Sequence, residues 1–238
     1  MKKTMLGLVF AVLASVSSYG SDLSVNSGFV SKYVGKQSGT VFTDGPAVQS
    51  GINFTTEKKL PSPIEDGSVY FGLWNSTGLN TDAGNETDIC YGWAGKINGF
   101  STDVGISYYD FSNTFRKWSD SIFAPHWEIG GNVCYVRVEL ALPTGGSSYD
   151  CGTYVTVGHR ESWDLGGGAS LNCDVGLTKD DGTYNGTPNW ILGGSSDLSL
   201  QRGLWTVKVL SLQFTAPLQD DASRGEQLVW GADISRKF

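Results

Sequence analysis

Apolar residues recur at every second position along almost the whole chain, and no other feature narrows the choice of fold as much. Ala169, Leu171, Cys173, Val175 and Leu177 alternate with Ser170, Asn172, Asp174 and Gly176. Successive side chains of an extended strand point to opposite faces, so this order gives one apolar and one polar face. Val48, Ser50, Ile52 and Phe54 alternate in the same way with Gln49, Gly51, Asn53 and Thr55, and Ile89, Tyr91, Trp93 and Ile97 with Asp88, Gly92 and Lys96. Further strands are predicted over 22–34, 68–76, 101–111, 149–162, 190–202, 205–216 and 227–238. Polar turn clusters such as Lys179-Asp180-Asp181-Gly182 and Pro143-Thr144-Gly145-Gly146 part them. The 32 glycines in 238 residues stand well above the ~7% usual for proteins, which disfavours helices.

The alternation needs a solvent, and the N-terminus suggests one. Lys2 and Lys3 precede an uncharged apolar run from Met5 to Val16, followed by the small residues Ser17, Ser18 and Gly20. This is the order of a secretory leader, predicted over 1–20 with cleavage before Ser21, leaving 21–238 as one domain. After residue 20 no stretch approaches the ~18 apolar residues a membrane helix needs. A membrane-spanning chain of this kind must close a barrel, since only helices and closed barrels satisfy every backbone polar group inside a bilayer.

The 17 basic residues, two of them in the leader, face 24 acidic ones. Without a basic stripe to neutralise phosphates, nucleic acid is excluded as a partner. The partners expected are outer-membrane lipid, the secretion apparatus and barrel assembly machinery during biogenesis, and small solutes.

The strand count turns on 127–142, whose apolar phase is odd at Trp127, Ile129 and Val133 but even at Val136, Val138, Leu140 and Leu142. One long bulged strand or two strands with a tight turn would both fit. The second choice gives twelve strands in an up-and-down antiparallel barrel, with ten as the alternative, because single-chain bacterial barrels close on even numbers. A soluble β-sandwich is the competing fold. Against it stand Trp74, Trp93, Trp127, Trp163, Trp190, Trp205 and Trp230 near predicted strand ends or outer faces, as an interfacial girdle requires. The last strand adds Leu228, Trp230, Ala232, Ile234 and the terminal Phe238 at steps of two. That pattern resembles the signal read by the barrel assembly machinery, with Arg236 departing from it.

Gly28-Phe29-Val30-Ser31-Lys32-Tyr33, then Asp44-Gly45-Pro46-Ala47-Val48-Gln49-Ser50-Gly51-Ile52-Asn53 and Tyr70-Phe71-Gly72-Leu73-Trp74, with Asp103 to Asp110 continuing, resemble the TorF family of outer-membrane porins. The resemblance covers roughly the first half of the exported chain. Lys32 stands where the family tends to have Asp, Gly35-Lys36 replaces an Arg-Gly pair, and Ser50 takes a Gly position. The loop between Tyr33 and Asp44 is longer. What the resemblance implies is a barrel with a pore role. On turn chemistry alone, Asp44, Gly45 and Pro46 form a turn that lets a strand begin after the proline, with Ala47 at its start and Gln49 and Asn53 facing the lumen.

Catalytic chemistry has little to build on. His126, behind a proline in a predicted loop, and His159 are the two histidines, and neither has a second His or Cys at metal-ligand spacing. No metal, cofactor or enzymatic activity is expected, although a hydrolase site assembled from distant strands is the third alternative. Cys90, Cys134, Cys151 and Cys173 form no CxxC pair and read as small apolar fillers or one disulfide, with Cys173 facing outward and Cys90 sharing a face with Asp88.

The polar face gathers Lys32, Gln49, Asn53, Asp88, Lys96, Asp103, Glu128, Arg137, Glu139, Asp150, Arg160, Asn172, Asp174, Asp197 and Asp233. Acids outnumber bases, so a water-filled lumen would concentrate cations. The function expected is a channel in the outer membrane of a Gram-negative bacterium for passive diffusion of small polar or cationic solutes. The alternative is a structural or adhesive barrel acting through extracellular segments such as 112–126 and 179–189.

Overall fold

The computed structural model describes residues 21–35, 40–58, 64–79, 85–111, 121–131, 133–144, 150–181, 188–219 and 225–238. The predicted leader lies outside them. The first half holds β1 (Ser21–Val30), β2 (Tyr33–Val34), β3 (Val41–Thr43), β4 (Ala47–Lys58), β5 (Ile64–Gly78), β6 (Glu86–Ile97) and β7 (Phe100–Asp110). β8 (Ser121–Gly130), β9 (Cys134–Pro143), β10 (Gly152–Gly166), β11 (Ala169–Asp180), β12 (Asn189–Arg202), β13 (Trp205–Pro217) and β14 (Gln227–Lys237) follow. Every strand except β2 and β3 joins one closed barrel of twelve, in which each strand pairs antiparallel with its chain neighbour and β1 pairs with both β4 and β14.

The two-strand reading of 127–142 is the observed one. The chain reverses between Gly130 and Cys134, where Gly131 N–H donates to the Cys134 carbonyl at 2.9 Å. That reversal is why the apolar phase switches: Ile129 and Val136 are register partners and share the outer face.

Several boundaries differ from expectation. β8 reaches back to Ser121, so Ile122, Phe123 and His126 lie in the wall and not in a loop, with Pro125 inside the strand opposite Ile106. Packing overrides the proline there: Ile122 is fully buried against Ala141 and Tyr154. β1 ends at Val30, earlier than the predicted 34, because the chain bends inward. β10 begins at Gly152, which leaves Asp150 outside the wall strands and off the lumen face.

One end of the barrel is trimmed to tight turns. Asn98 and Gly99 both take positive φ (52° and 81°) between β6 and β7, as a two-residue hairpin matched to strand twist requires. Gly203, at φ 58°, opens the β12–β13 turn. The opposite end carries the longer connections, including 31–46. In β13 a bulge between Lys208 and Ser211 shifts the phase, so that Val207 before it and Leu212 after it both face outward.

The outer wall is apolar. Val104, Ile106, Val136, Leu140, Val157, Val175, Leu177, Leu192, Leu212 and Ile234 are all exposed along it. Trp190 and Trp230 mark its level near the long-loop end, and Trp163 and Trp205 near the short-turn end. Trp74 departs from the predicted girdle: it pairs with Gly51 and Asp88 and shares their inward face. Arg236, the odd residue of the last strand, lies over the rings of Trp205 and Phe238 at 5.1 and 4.5 Å, an environment that suits a guanidinium better than bare lipid.

Trp93 lies flat across Gly67 and Gly95, where an added Cβ would fall 2.5 Å from its Nε1 at Gly67. A rigid indole over side-chain-free backbone is a known way to protect strand glycines. Gly67→Val is expected to lift the indole and cost about 1–3 kcal/mol by overpacking, read as a lower urea midpoint of the barrel in lipid vesicles. An unchanged midpoint would mean that the ring contributes nothing to the wall.

Candidate functional site

Register carries most of the predicted polar residues to the lumen. Gln49 and Asn53 on β4, Asp88 and Lys96 on β6, Asp103 on β7, Glu128 on β8, Arg137 and Glu139 on β9, and Arg160 on β10 share the inward phase. Asn172 and Asp174 on β11, Asp197 on β12 and Asp233 on β14 complete it. They do not form one site. A cavity of about 940 Å³ is lined by Asp103, Glu128, Arg137, Arg160, Asn172, Asp174 and Asp197. A second, of about 460 Å³, is lined by Asn26, Gln49, Asn53, Lys208 and Asp233. Lys96 is exposed close to the short-turn end, and Glu139 is buried beneath Arg137.

The larger cavity has two different walls. On β8–β10 charges alternate in a ladder. Arg160 Nη2 donates to Glu128 Oε1 at 2.8 Å, Arg137 Nη1 lies 3.9 Å from Glu128 Oε2, and Arg137 Nη2 donates to Glu139 Oε2 at 2.9 Å. The Arg160 guanidinium lies over the Tyr135 ring, 3.9 Å from its centroid. On β11 Asp174 accepts from Tyr135 Oη at 2.9 Å, and in the second cavity Asp233 accepts from Asn26 Nδ2 at 3.3 Å. Asp197 has a cation, Lys208, at 3.8 Å.

His126 is nine-tenths buried in this wall. Its Nε2 lies 3.4 Å from Asp103 Oδ1 and 3.1 Å from Tyr70 Oη, and Tyr70 Oη donates to Asp103 at 2.8 Å. The carboxylate that a hydrolase would need is therefore present, but the hydroxyl in contact is the phenol of Tyr70. No serine is in hydrogen-bond contact with His126 among the described residues. His159 instead faces outward, in register with Cys134 and Val175. The four cysteines are unbonded to one another, and Cys173 and Cys90 occupy the predicted faces.

A hairpin absent from the sequence-based reading crosses the long-loop mouth. Past Val30 the chain turns into the lumen, and β2 pairs with β3 before Asp44, Gly45 and Pro46 lead into β4 at Ala47. Tyr33 Oη donates to Glu86 at 2.5 Å, and its ring packs on Phe42 and Trp74 with centroids 5.0 and 5.4 Å away. Phe42 stacks in turn on Phe111 at 5.3 Å. On the other side Gln213 Nε2 donates to the Val34 carbonyl at 3.0 Å, and Lys32 Nζ donates to Gln227 Oε1 at 2.9 Å while lying 3.7 Å from Asp44. The hairpin thus spans from β5–β7 to β13–β14 and covers a cavity of about 350 Å³ lined by Lys32, Gln49, Trp74, Asp88 and Gln213. The one sequence signal for it is the short Val41-Phe42-Thr43 run inside the long loop before Asp44.

No family model and no curated protein matches this chain. Among solved structures, an outer-membrane channel from Pseudomonas putida F1 superposes with a TM-score of 0.54 at 10% identity, over 92% of this chain and 96% of that one. The NanC porin superposes with a TM-score of 0.52 at 8% identity, over 91% of this chain and 100% of its own. Likeness at such identities concerns the fold, which is that of an outer-membrane β-barrel.

Arg137 bridges two carboxylates and is itself largely buried. Arg137→Met is expected to leave Glu139 buried without its cation and to cost about 3 kcal/mol, the usual result of removing one partner of a buried pair. Denaturant unfolding in lipid vesicles checks this. Glu139→Gln introduced beside Arg137→Met should recover part of the loss.

Proposed function

We propose that this chain is an outer-membrane channel for passive diffusion of small polar and cationic solutes in a Gram-negative bacterium, exported on a cleaved leader. Its short-turn end faces the periplasm, as in bacterial barrels generally. The resemblance of residues 28–53 to TorF-family porins belongs to this reading. Diffusion needs a lined path and no catalytic group, so the reading includes no enzymatic step.

The observation that carries it is the charge balance of the lumen. Asp88, Asp103, Glu128, Glu139, Asp174, Asp197 and Asp233 face the lumen beside Lys96, Arg137, Arg160 and Lys208, so carboxylates outnumber cations along these strands. A low-dielectric wall focuses that acidic field along the path and favours cations. The hairpin across the mouth favours a second reading, a structural or adhesive barrel that acts through its extracellular loops with the lumen covered. Conductance separates the two.

In a planar bilayer with a salt gradient, the folded barrel should give discrete steps with a cation-selective reversal potential. Asp174→Asn with Asp233→Asn should move that potential toward zero. Replacing residues 33–43 by a short Gly-Ser link should enlarge the steps, because the hairpin occupies part of the mouth. A heat-modifiable barrel that gives no steps, with or without the hairpin, would sink the channel and support the second reading.

A further inference from the structure

The apolar face of β10 is interrupted. Val155 and Val157 on one side and Trp163 and Leu165 on the other bracket His159 and Glu161, and all six positions share the outward phase. An exposed ion pair adds little to stability, and charged side chains on the lipid-facing wall of a barrel are disfavoured. Folding alone gives no reason for the pair.

Register supplies a third member. Cys134, the first residue of β9 and next to a short turn, pairs with His159 and is exposed. Its Sγ lies 3.7 Å from His159 Nδ1, and His159 Nε2 lies 3.3 Å from Glu161 Oε1. The His159 and Glu161 side chains are 51% and 38% exposed on the outer wall, and the approach for a reagent is at Cys134, beside the short turn before β9. The Glu161 carboxylate beside Nε2 favours a proton on that side of the ring, and the Nδ1 side faces the thiol. Both ring nitrogens are engaged by different partners, so the arrangement is a relay and not a chelate. Among the described residues no three such groups converge on a metal ion.

We propose that Cys134, His159 and Glu161 form a reactive-thiol site on the outer wall at the short-turn rim, whose reactant is a low-molecular-weight disulfide. His159 Nδ1 takes the thiol proton, and the Cys134 thiolate attacks one sulfur of the disulfide. A new S–S bond forms to Cys134 as the old one breaks, and the leaving thiolate takes its electron pair and then the proton from His159. The Cys134 sulfur is oxidised and the small disulfide reduced, so the product is a mixed disulfide and one free thiol. This chemistry does not depend on whether the lumen conducts.

The molecule contains its own control. Cys151 is also exposed, but it lies just ahead of β10 at the long-loop end, opposite the short turn beside Cys134, and no hydrogen bond joins it to either histidine. The folded barrel in detergent is exposed to oxidised glutathione, and both cysteines are followed by peptide mass mapping. Cys134 is expected to be glutathionylated about tenfold faster than Cys151. His159→Gln should bring Cys134 down to the Cys151 rate without changing Cys151, and Glu161→Gln should fall between. Heat-modifiable migration verifies that each variant is folded. If Cys134 reacts no faster than Cys151 in the unaltered barrel, or keeps its advantage in His159→Gln, the proposal is overturned. The unaltered barrel alone decides should a variant fail to fold.

Discussion

Closure of β1 onto β14 is the constraint from which the other features follow. An open sheet of this length would leave rows of unpaired N–H and C=O groups along both edges, and a bilayer has no water to satisfy them. Here Ser24 to Val30 pair with Lys237 back to Gly231, while the other side of β1 pairs with β4. Once the ring is closed, the register of each hairpin decides which side chains meet lipid and which meet the lumen. A slip of one residue would reverse every face. The β13 bulge obeys the same constraint, since it absorbs one change of phase that would otherwise turn Leu212 and Phe214 inward.

Closure also sets the problem that the lumen residues solve. Twelve strands enclose a narrow space, and charges facing it such as Glu128, Arg137 and Asp197 are largely buried. On β8–β10 the solution is pairing: Glu128 is shared by Arg137 and Arg160, and Arg137 reaches Glu139 as well. On β11–β14 it is mixed: Asp174 and Asp233 accept from Tyr135 and Asn26, and Lys208 lies 3.8 Å from Asp197. A solute passing through the larger cavity would therefore meet the β8–β10 ladder on one side and Asp174 and Asp197 on the other.

Alternation made the barrel legible because a period of two encodes which face a side chain takes relative to its strand neighbours. That local rule placed Asp174, Asp197 and Asp233 inside and Cys173 outside, and the phase switch at 127–142 left one bulged strand or two strands, of which the fold has two. It failed where tertiary contacts decide. Trp74 looks like a girdle residue by type, yet its phase puts it beside Gly51 and Asp88, where the hairpin needs an aromatic surface. Pro125 suggested a loop over 112–126, but the burial of Ile122 holds its last part, from Ser121 on, in the wall. The β2–β3 hairpin was hidden because its two strands are too short to show a period. Cys134 and His159 are 25 positions apart, and only the β9–β10 register joins them.

The hairpin shows how a loop becomes part of the lumen without belonging to the barrel. Its own pairing is two strands of two and three residues, far too little to be stable alone. Its position is set by contacts to opposite walls: Tyr33 to Glu86 and Trp74 on one side, Val34 and Lys32 to Gln213 and Gln227 on the other. Each anchor comes from a strand whose inward face is fixed by closure, so the segment is ordered by the barrel and in turn narrows it. The Trp74–Tyr33–Phe42–Phe111 row gives the mouth an aromatic side, and Lys32 adds a cation at the entrance to an otherwise acidic path. A cation approaching from that end meets Lys32 and the more exposed Asp44 together. The ion pair with Asp44, 3.7 Å away, offsets part of the lysine's repulsion at the entrance.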